Sequence, residues 1–271
     1  MDAFTVTIEV VPPAGPDAEP LLRELSRLDQ TAVGGYSVAT NPVAKPRMSA
    51  MALCALIQQR TGTPAILHCT TRDHNRLSLQ GLLWGARALG IASVLVTTGD
   101  FVALGDRAMT STVRDVDVFE LIAMAREAGL RTGVVFDPRL EGDGLTQAAE
   151  RLEKKAAAGA QFVVTQPIYD LPTAELVLAA TAPADIPKVM GILPLRTAKH
   201  AEFLHHKVAG ITVPSDLRRR MQQSADPLAV GIANARNMLA IARDRFAGAC
   251  VMPPFDHFEV LPEILGPSGQ D

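Results

Sequence analysis

Two carboxylates stand in company that ought to exclude them. Glu9 lies between Ile8 and Val10 in Phe4 to Val11, a run that favours extended structure until Pro12-Pro13 stops it. Burying it without a partner would cost several kcal/mol, so Glu9 either faces solvent from an edge strand or lines a site and is kept for chemistry. Asp100 closes Val94-Leu95-Val96-Thr97-Thr98-Gly99-Asp100, an aliphatic run without alternation that reads as a strand buried on both faces. Its carboxylate either makes a turn or stands at a functional rim. His68, Asn41 and Gln166 follow other apolar runs in the same way. Taken singly, His68 reads as a satisfied core histidine, and Gln166 before Pro167 as a loop cap. A carboxylate pair at a rim can divide acid and base work, as glycoside hydrolysis does, when their surroundings separate the two pKa values. One tryptophan and two tyrosines leave little aromatic surface on which sugars could stack. Glu9, His68 and Asp100 could also ligate a metal, although no spacing singles one out.

The elements decide whether these residues meet. Strands are expected at 4–11, 31–39, 64–69, 91–98, 132–136, 162–165, 188–193 and 249–252, with helices between them at 17–28, 47–60, 75–89, 115–128, 145–158 and 173–181. Further helices are expected at 199–206, 215–223 and 227–246. Eight short strands alternating with helices at roughly thirty-residue spacing predict an α/β fold, a single (β/α)8 TIM barrel with extra helices near the C-terminus. A doubly wound open sheet is the competitor. Against it, no strand-to-helix turn carries the G-x-G-x-x-G fingerprint, and an eighth strand near the end suits closure. One domain is expected over 1–271, with a loose tail from Gly266 to Asp271. In such a barrel ligands sit at the C-terminal ends of the strands, where Glu9, Asn41, His68, Asp100 and Gln166 all fall. Convergence on one mouth makes them candidates for binding a polar heterocycle.

Composition removes several classes. The chain has 271 residues, 48% of them hydrophobic, a net charge of −3 and a pI near 6.1. It offers no basic footprint for nucleic acid or an anionic membrane. Arg218-Arg219-Arg220 reads as a solvated helix face. Cys54, Cys69 and Cys250 are odd in number, far apart and set in apolar context, which predicts buried free thiols and a reducing, cytoplasmic setting. Neither a leader nor a spanning segment is read from the sequence.

Six motifs carry a resemblance. They are Ile8-Glu9-Val10-Val11-Pro12-Pro13, then Leu67-His68 through Arg72-Asp73-His74-Asn75, then Ala88-Leu89-Gly90-Ile91 leading to Thr98-Gly99-Asp100. Further on are Arg151-Leu152-Glu153-Lys154-Lys155 with Ala158-Gly159-Ala160, Thr165-Gln166-Pro167-Ile168-Tyr169-Asp170, and Gly191-Ile192-Leu193-Pro194. In this order, over about residues 5 to 255, the chain resembles the methylenetetrahydrofolate reductases, in particular a compact bacterial form that also occurs fused to a methyltransferase module.

The resemblance implies a TIM barrel in which FAD carries hydride from NAD(P)H to 5,10-methylenetetrahydrofolate, giving 5-methyltetrahydrofolate. Glu9 matches the family's general acid, and partial burial should keep it protonated near neutrality. Asp100 matches the aspartate beside flavin and substrate, His68 a flavin-contacting histidine, and Gln166 the residue that hydrogen-bonds the pterin. Lys154 and Lys155 match a basic pair near the FAD diphosphate, against which stands the plain reading of a solvated helix face. Thr98, Gly99 and Phe136 fall at flavin-side positions, and the family's strand-two threonine, a substrate contact, falls at Ala39 or Thr40.

The sequence also departs from the family. Several members have arginine at Thr98, a hydroxylated aromatic at Phe136, and aspartate and asparagine near Ala148 and Arg151. The fused bacterial forms share some of these changes. The alternatives are direct transfer of hydride from NADH to folate without flavin, and a non-catalytic folate- or flavin-binding subunit of a larger complex. A homo-oligomer is compatible with either, and NADH or NADPH would serve as donor.

Overall fold

The computed structural model describes residues 4–28, 32–138, 140, 142–254 and 257–266. The expected tail beyond Gly266 and the expected strand start at Thr31 lie outside these residues. Eight parallel strands close on themselves: β1 (Thr5–Val10), β2 (Gly35–Val38), β3 (Ala65–Thr70), β4 (Ser93–Thr97), β5 (Arg131–Phe136), β6 (Phe162–Pro167), β7 (Lys188–Ile192) and β8 (Gly248–Val251). Closure is made by β1 on β8, with Thr5 opposite Gly248 and Ile8 opposite Val251. The molecule is a (β/α)8 barrel over its described length.

Each strand is buried on both faces because helices cover the outside and side chains fill the inside. Leu95, Phe162, Val164 and Cys250 pack within the barrel, and the larger core lies between strands and helices. Helices α1 (Glu19–Arg27), α2 (Ala50–Thr61), α3 (Arg76–Ala88), α4 (Val118–Glu127), α5 (Gly144–Ala157) and α6 (Leu171–Thr181) follow β1 to β6 in turn. Between β7 and β8 run α7 (Ala198–Lys207), α8 (Ser215–Gln223) and α9 (Pro227–Arg245), which enclose a smaller core around Tyr169, Leu204, Leu217 and Met221. A short α10 (Leu261–Leu265) packs on α9.

Polar caps start several of the helices where they leave the mouth of the barrel. The side chain of Asn75 accepts from the backbone N–H of Ser78 at the start of α3, and Asp170 does the same for Thr173 at α6. Asp117 and Glu120 form a reciprocal capping box at α4. Of the arginine run on α8, Arg219 and Arg220 are exposed, as expected of a solvated face. Arg218 is half-buried, donating to Glu202 at 2.7 Å and to the Val213 carbonyl at 3.2 Å. Among the described residues, no helix is long and apolar enough to cross a membrane.

Candidate active site

A cavity of about 240 Å³ opens at the C-terminal ends of the strands. Glu9, Thr40, His68, Gly99, Asp100 and Gln166 all line it, with Thr165 and Cys250 deeper in. The strand that puts Glu9 there also explains its character. Position 9 points into the barrel while Ile8 and Val10 are wholly buried against the helices, so the carboxyl projects into the cavity from an aliphatic wall. Burial, and then the nearby charge of Asp100, push Glu9 up to about 7. No side chain or backbone group among the described residues hydrogen-bonds this carboxyl.

Asp100 stands exposed on the rim at the end of β4. One of its oxygens accepts the backbone N–H of Val43, which ties the loop after β4 to the loop after β2. Val43, Ala44 and Asn41 all adopt positive φ there, a strained course that the tie helps hold. Underneath lies Arg72. Its buried guanidinium donates to both Asp73 oxygens, to the Asn41 carbonyl at 3.1 Å and to the Asp100 carbonyl at 3.0 Å. Burial alone would raise Asp73, but Arg72, Asn41 and Thr70 outweigh it and hold the carboxyl below its ordinary range. Gly99 makes this arrangement possible, having φ +80° and lying where a Cβ would sit 3.1 Å from the Arg72 Cβ.

The other cavity residues are fixed in different ways. His68 Nε2 lies 2.7 Å from Ser37 Oγ, and burial lowers the ring to about 4, so it is neutral at working pH. Thr40 donates its hydroxyl to the His68 carbonyl, joining β2 to β3 at the rim. On β6 the register with β7 shifts between Val164 and Pro167. There Thr165 Oγ1 accepts from the Gly191 N–H at 3.0 Å and donates to the Gln166 carbonyl at 2.8 Å, fixing the peptide that carries Gln166. The Gln166 amide makes no hydrogen bond among the described residues, which leaves its donor and acceptor for a ligand.

Several expected residues are elsewhere. Asn41 is structural: its side chain donates to Asp73 and accepts from the Arg47 N–H. Thr98 is exposed beside the rim, and Phe136 is buried in the wall between strands and helices. Lys154 is exposed on α5, while Lys155 is buried and donates to the Val135 carbonyl at 2.7 Å. Burial first, and then Arg151, lower Lys155 to about 8 in spite of Asp137. Arg151 itself stacks over the Phe119 ring, 5.3 Å from its centroid. The sequence reading gave Arg72, Ser37, Thr165 and Cys250 no role in the site. Arg72 had a signal, a cation immediately after a buried strand, and the other three had none beyond being small and polar.

The sequence matches the family described as Methylenetetrahydrofolate reductase over residues 1–247. The chain belongs to that family. Among solved structures, this methylenetetrahydrofolate reductase family member resembles an uncharacterized protein from Clostridium thermocellum that binds two copies of 5-methyl-5,6,7,8-tetrahydrofolic acid. The TM-score is 0.68 at 13% identity, covering 97% of this chain and 93% of that one. It also resembles oxaloacetate acetylhydrolase, with a TM-score of 0.57 at 12% identity over 96% of this chain and 77% of that one. For 2,3-dimethylmalate lyase of the PEP mutase/isocitrate lyase superfamily the TM-score is 0.55 at 14% identity, over 95% and 76%. At these identities the likeness is one of fold. The family match speaks to the chemistry.

Proposed function

We propose that the protein reduces 5,10-methylenetetrahydrofolate to 5-methyltetrahydrofolate with hydride from NAD(P)H. The observation that carries this reading is the Glu9 carboxyl, without a partner at the cavity wall and holding its proton to about pH 7. The one-carbon unit of the substrate bridges two nitrogens, and reduction needs one C–N bond to break first. Glu9 delivers its proton to the departing nitrogen, and the electron pair of the other nitrogen forms an iminium cation. Hydride then adds to the iminium carbon and leaves a methyl group. Asp100 faces the cation that ring opening creates, and its carboxylate favours that charge. Gln166 offers an amide donor and acceptor side by side, which suits the lactam edge of a pterin. The folate bound by the Clostridium thermocellum protein agrees with this substrate class.

When bound, FAD supplies a two-electron relay between nucleotide and folate. His68, Gly99 and Asp100 suit contacts to its ring system. Three of the other expected residues do not fit the group: Lys155 is spent on Val135, Lys154 is exposed on α5 away from the cavity lining, and Phe136 is buried in the core. This favours a second reading, hydride transfer from NADH directly to folate or through a flavin held only loosely. A non-catalytic binding subunit is disfavoured by Glu9, because binding alone has no need of a protonated acid.

Purified protein incubated with NADH or NADPH and methylenetetrahydrofolate, with and without added FAD, tests both readings. Formation of 5-methyltetrahydrofolate is expected, together with its loss in Glu9→Gln while folate still binds. Turnover that rises with added FAD, with flavin absorbance on the protein, supports the relay. Turnover without flavin supports direct transfer, and no product under any condition overturns the assignment.

A further inference from the structure

We propose that the loop after β4 carries an outer subsite in which Phe101 and Leu104 take the aminobenzoyl ring of the folate and Arg107 its glutamate carboxylates. The proposal rests on the reading of the cavity as a folate site and says where the rest of that molecule lies. A pocket that encloses a drug-sized ligand measures about 300 to 1,000 Å³. The cavity is about 240 Å³ and has to admit the folate ring and a hydride donor together, so the tail of the folate leaves over the rim.

The rim beside Asp100 is apolar and held in place. Phe101 is 92% exposed and Leu104 80%, yet the loop that carries them is tethered along its length. Arg72 holds both ends, donating to the Asp100 carbonyl at 3.0 Å and accepting from the Val113 N–H at 3.0 Å. Between them Val102 is buried, and Lys45 bridges to Asp106 at 2.6 Å. Two ties, Val43 to Asp100 and Lys45 to Asp106, lay this loop along the loop after β2, so the exposed Val43 joins the same apolar strip. The strip is continuous with the cavity, whose lining includes Pro42, Gly99 and Asp100. Large apolar side chains held in water beside a ligand cavity mark a contact surface.

The order of the groups names the occupant. The Arg107 N–H donates to the Leu104 carbonyl across one turn of 3₁₀ helix, which sets the two side chains on the same side of the loop. Arg107 is exposed and makes no ion pair among the described residues, whereas Lys45 and Asp106 neutralise each other. Away from Asp100 the loop therefore offers an apolar, partly aromatic surface first and a cation second. Folate has the matching order, a pterin joined by a short link to an aryl ring and then to glutamate. In a nicotinamide dinucleotide the anionic diphosphate comes before the adenine, which is the reverse.

Calorimetric titration of wild type, Phe101→Ala and Arg107→Gln tests the subsite against three ligands. They are 5-methyltetrahydrofolate, its pteroate analogue lacking glutamate, and 5,6-dimethyltetrahydropterin, which lacks the whole tail. Phe101→Ala should raise Kd for the first two by about 3- to 10-fold, the effect of one aromatic contact. Arg107→Gln should raise Kd about 2- to 5-fold for the glutamate-bearing ligand alone, and the difference should fade in high salt. Neither should move Kd for the bare pterin. Unmoved affinity for the full folate in either variant overturns the proposal. So does an equal loss for the bare pterin, which would mean that the loop acts through Asp100, or a raised KM for NADH with folate affinity intact. A wild type that binds none of the three ligands fails differently, overturning the folate reading on which the proposal rests.

Discussion

Glu9 is useful because it is uncomfortable, and the discomfort can be measured without any assay of turnover. Its ordinary value of 4.5 applies to the unfolded chain and about 7 to the folded one. Between those values the folded state keeps a proton that the unfolded chain has released, so this residue's contribution falls as pH rises through the window. Above about pH 7 the whole penalty of ionising a half-buried carboxyl is present. Glu9→Gln removes it. The variant's stability relative to wild type should be higher by about 2 to 3 kcal/mol near pH 8 than near pH 5, read by urea unfolding at the two pH values. His68 runs the other way, from 6.5 unfolded to about 4 folded, and costs stability as pH falls through that window. It does so in both proteins and cancels. Equal differences at the two pH values would mean that Glu9 is not held in its acid form. The residues that the sequence marked, Glu9, His68, Asp100 and Gln166, were legible because each is polar at the end of an apolar run. Ser37 and Cys250 were not, since in a buried strand they look like filler. Lys155 misled for a related reason: its long apolar stem lets a lysine enter the wall and satisfy its ammonium on a backbone carbonyl, which spacing cannot reveal.

The end of β4 shows how loops and strands share the task of holding a carboxylate. Asp100 is exposed and bonds Val43 through its side chain, but its backbone is set by Arg72 from the end of β3, packed against Gly99. Gly99→Ala would place a Cβ 3.1 Å from the Arg72 Cβ and 3.3 Å from its Cζ, in a backbone region that side chains seldom occupy. We expect a loss of about 1 to 3 kcal/mol in urea unfolding, with a fall in kcat because Asp100 moves with the turn. A variant with unchanged stability and turnover would show that the turn does not position Asp100. At this scale most of the architecture was legible: eight mostly unalternated runs gave the strands, although the caps at Asn75 and Asp170 were not foreseen and α6 starts at Leu171, two residues ahead of the expected Thr173. The differences have local causes. The helix expected from Arg47 starts at Ala50, because the positive-φ turn at Asn41 to Ala44 precedes it and Ser49 supplies the cap. Strand β6 runs on to Pro167, which pairs with Gly191 only after a register shift. The five residues of α10, with proline inside the first turn, are too few to show a period.

Closure of the barrel is what makes a site out of residues so distant in sequence. Glu9 sits on the first strand and Cys250 on the last, and they share one cavity only because β1 pairs with β8. That pairing is close at Thr5 and Gly248, where a Cβ on the glycine would come within 2.6 Å of the Thr5 carbonyl oxygen. Backbone cannot yield there as a flexible side chain would. Gly248→Ala should therefore spread the first and last strands and cost about 2 kcal/mol or more. The damage should reach the cavity as well as the stability. Spreading β1 from β8 admits water beside Glu9 and relieves the burial that raises its pKa, so the Glu9 titration should move down in this variant even though the substitution touches no cavity residue. Urea unfolding and NMR titration of the same sample separate the two effects. A stability loss with the Glu9 midpoint unmoved would show that closure supports the fold alone, whereas movement of both would show that the acid's strength is a property of the closed barrel.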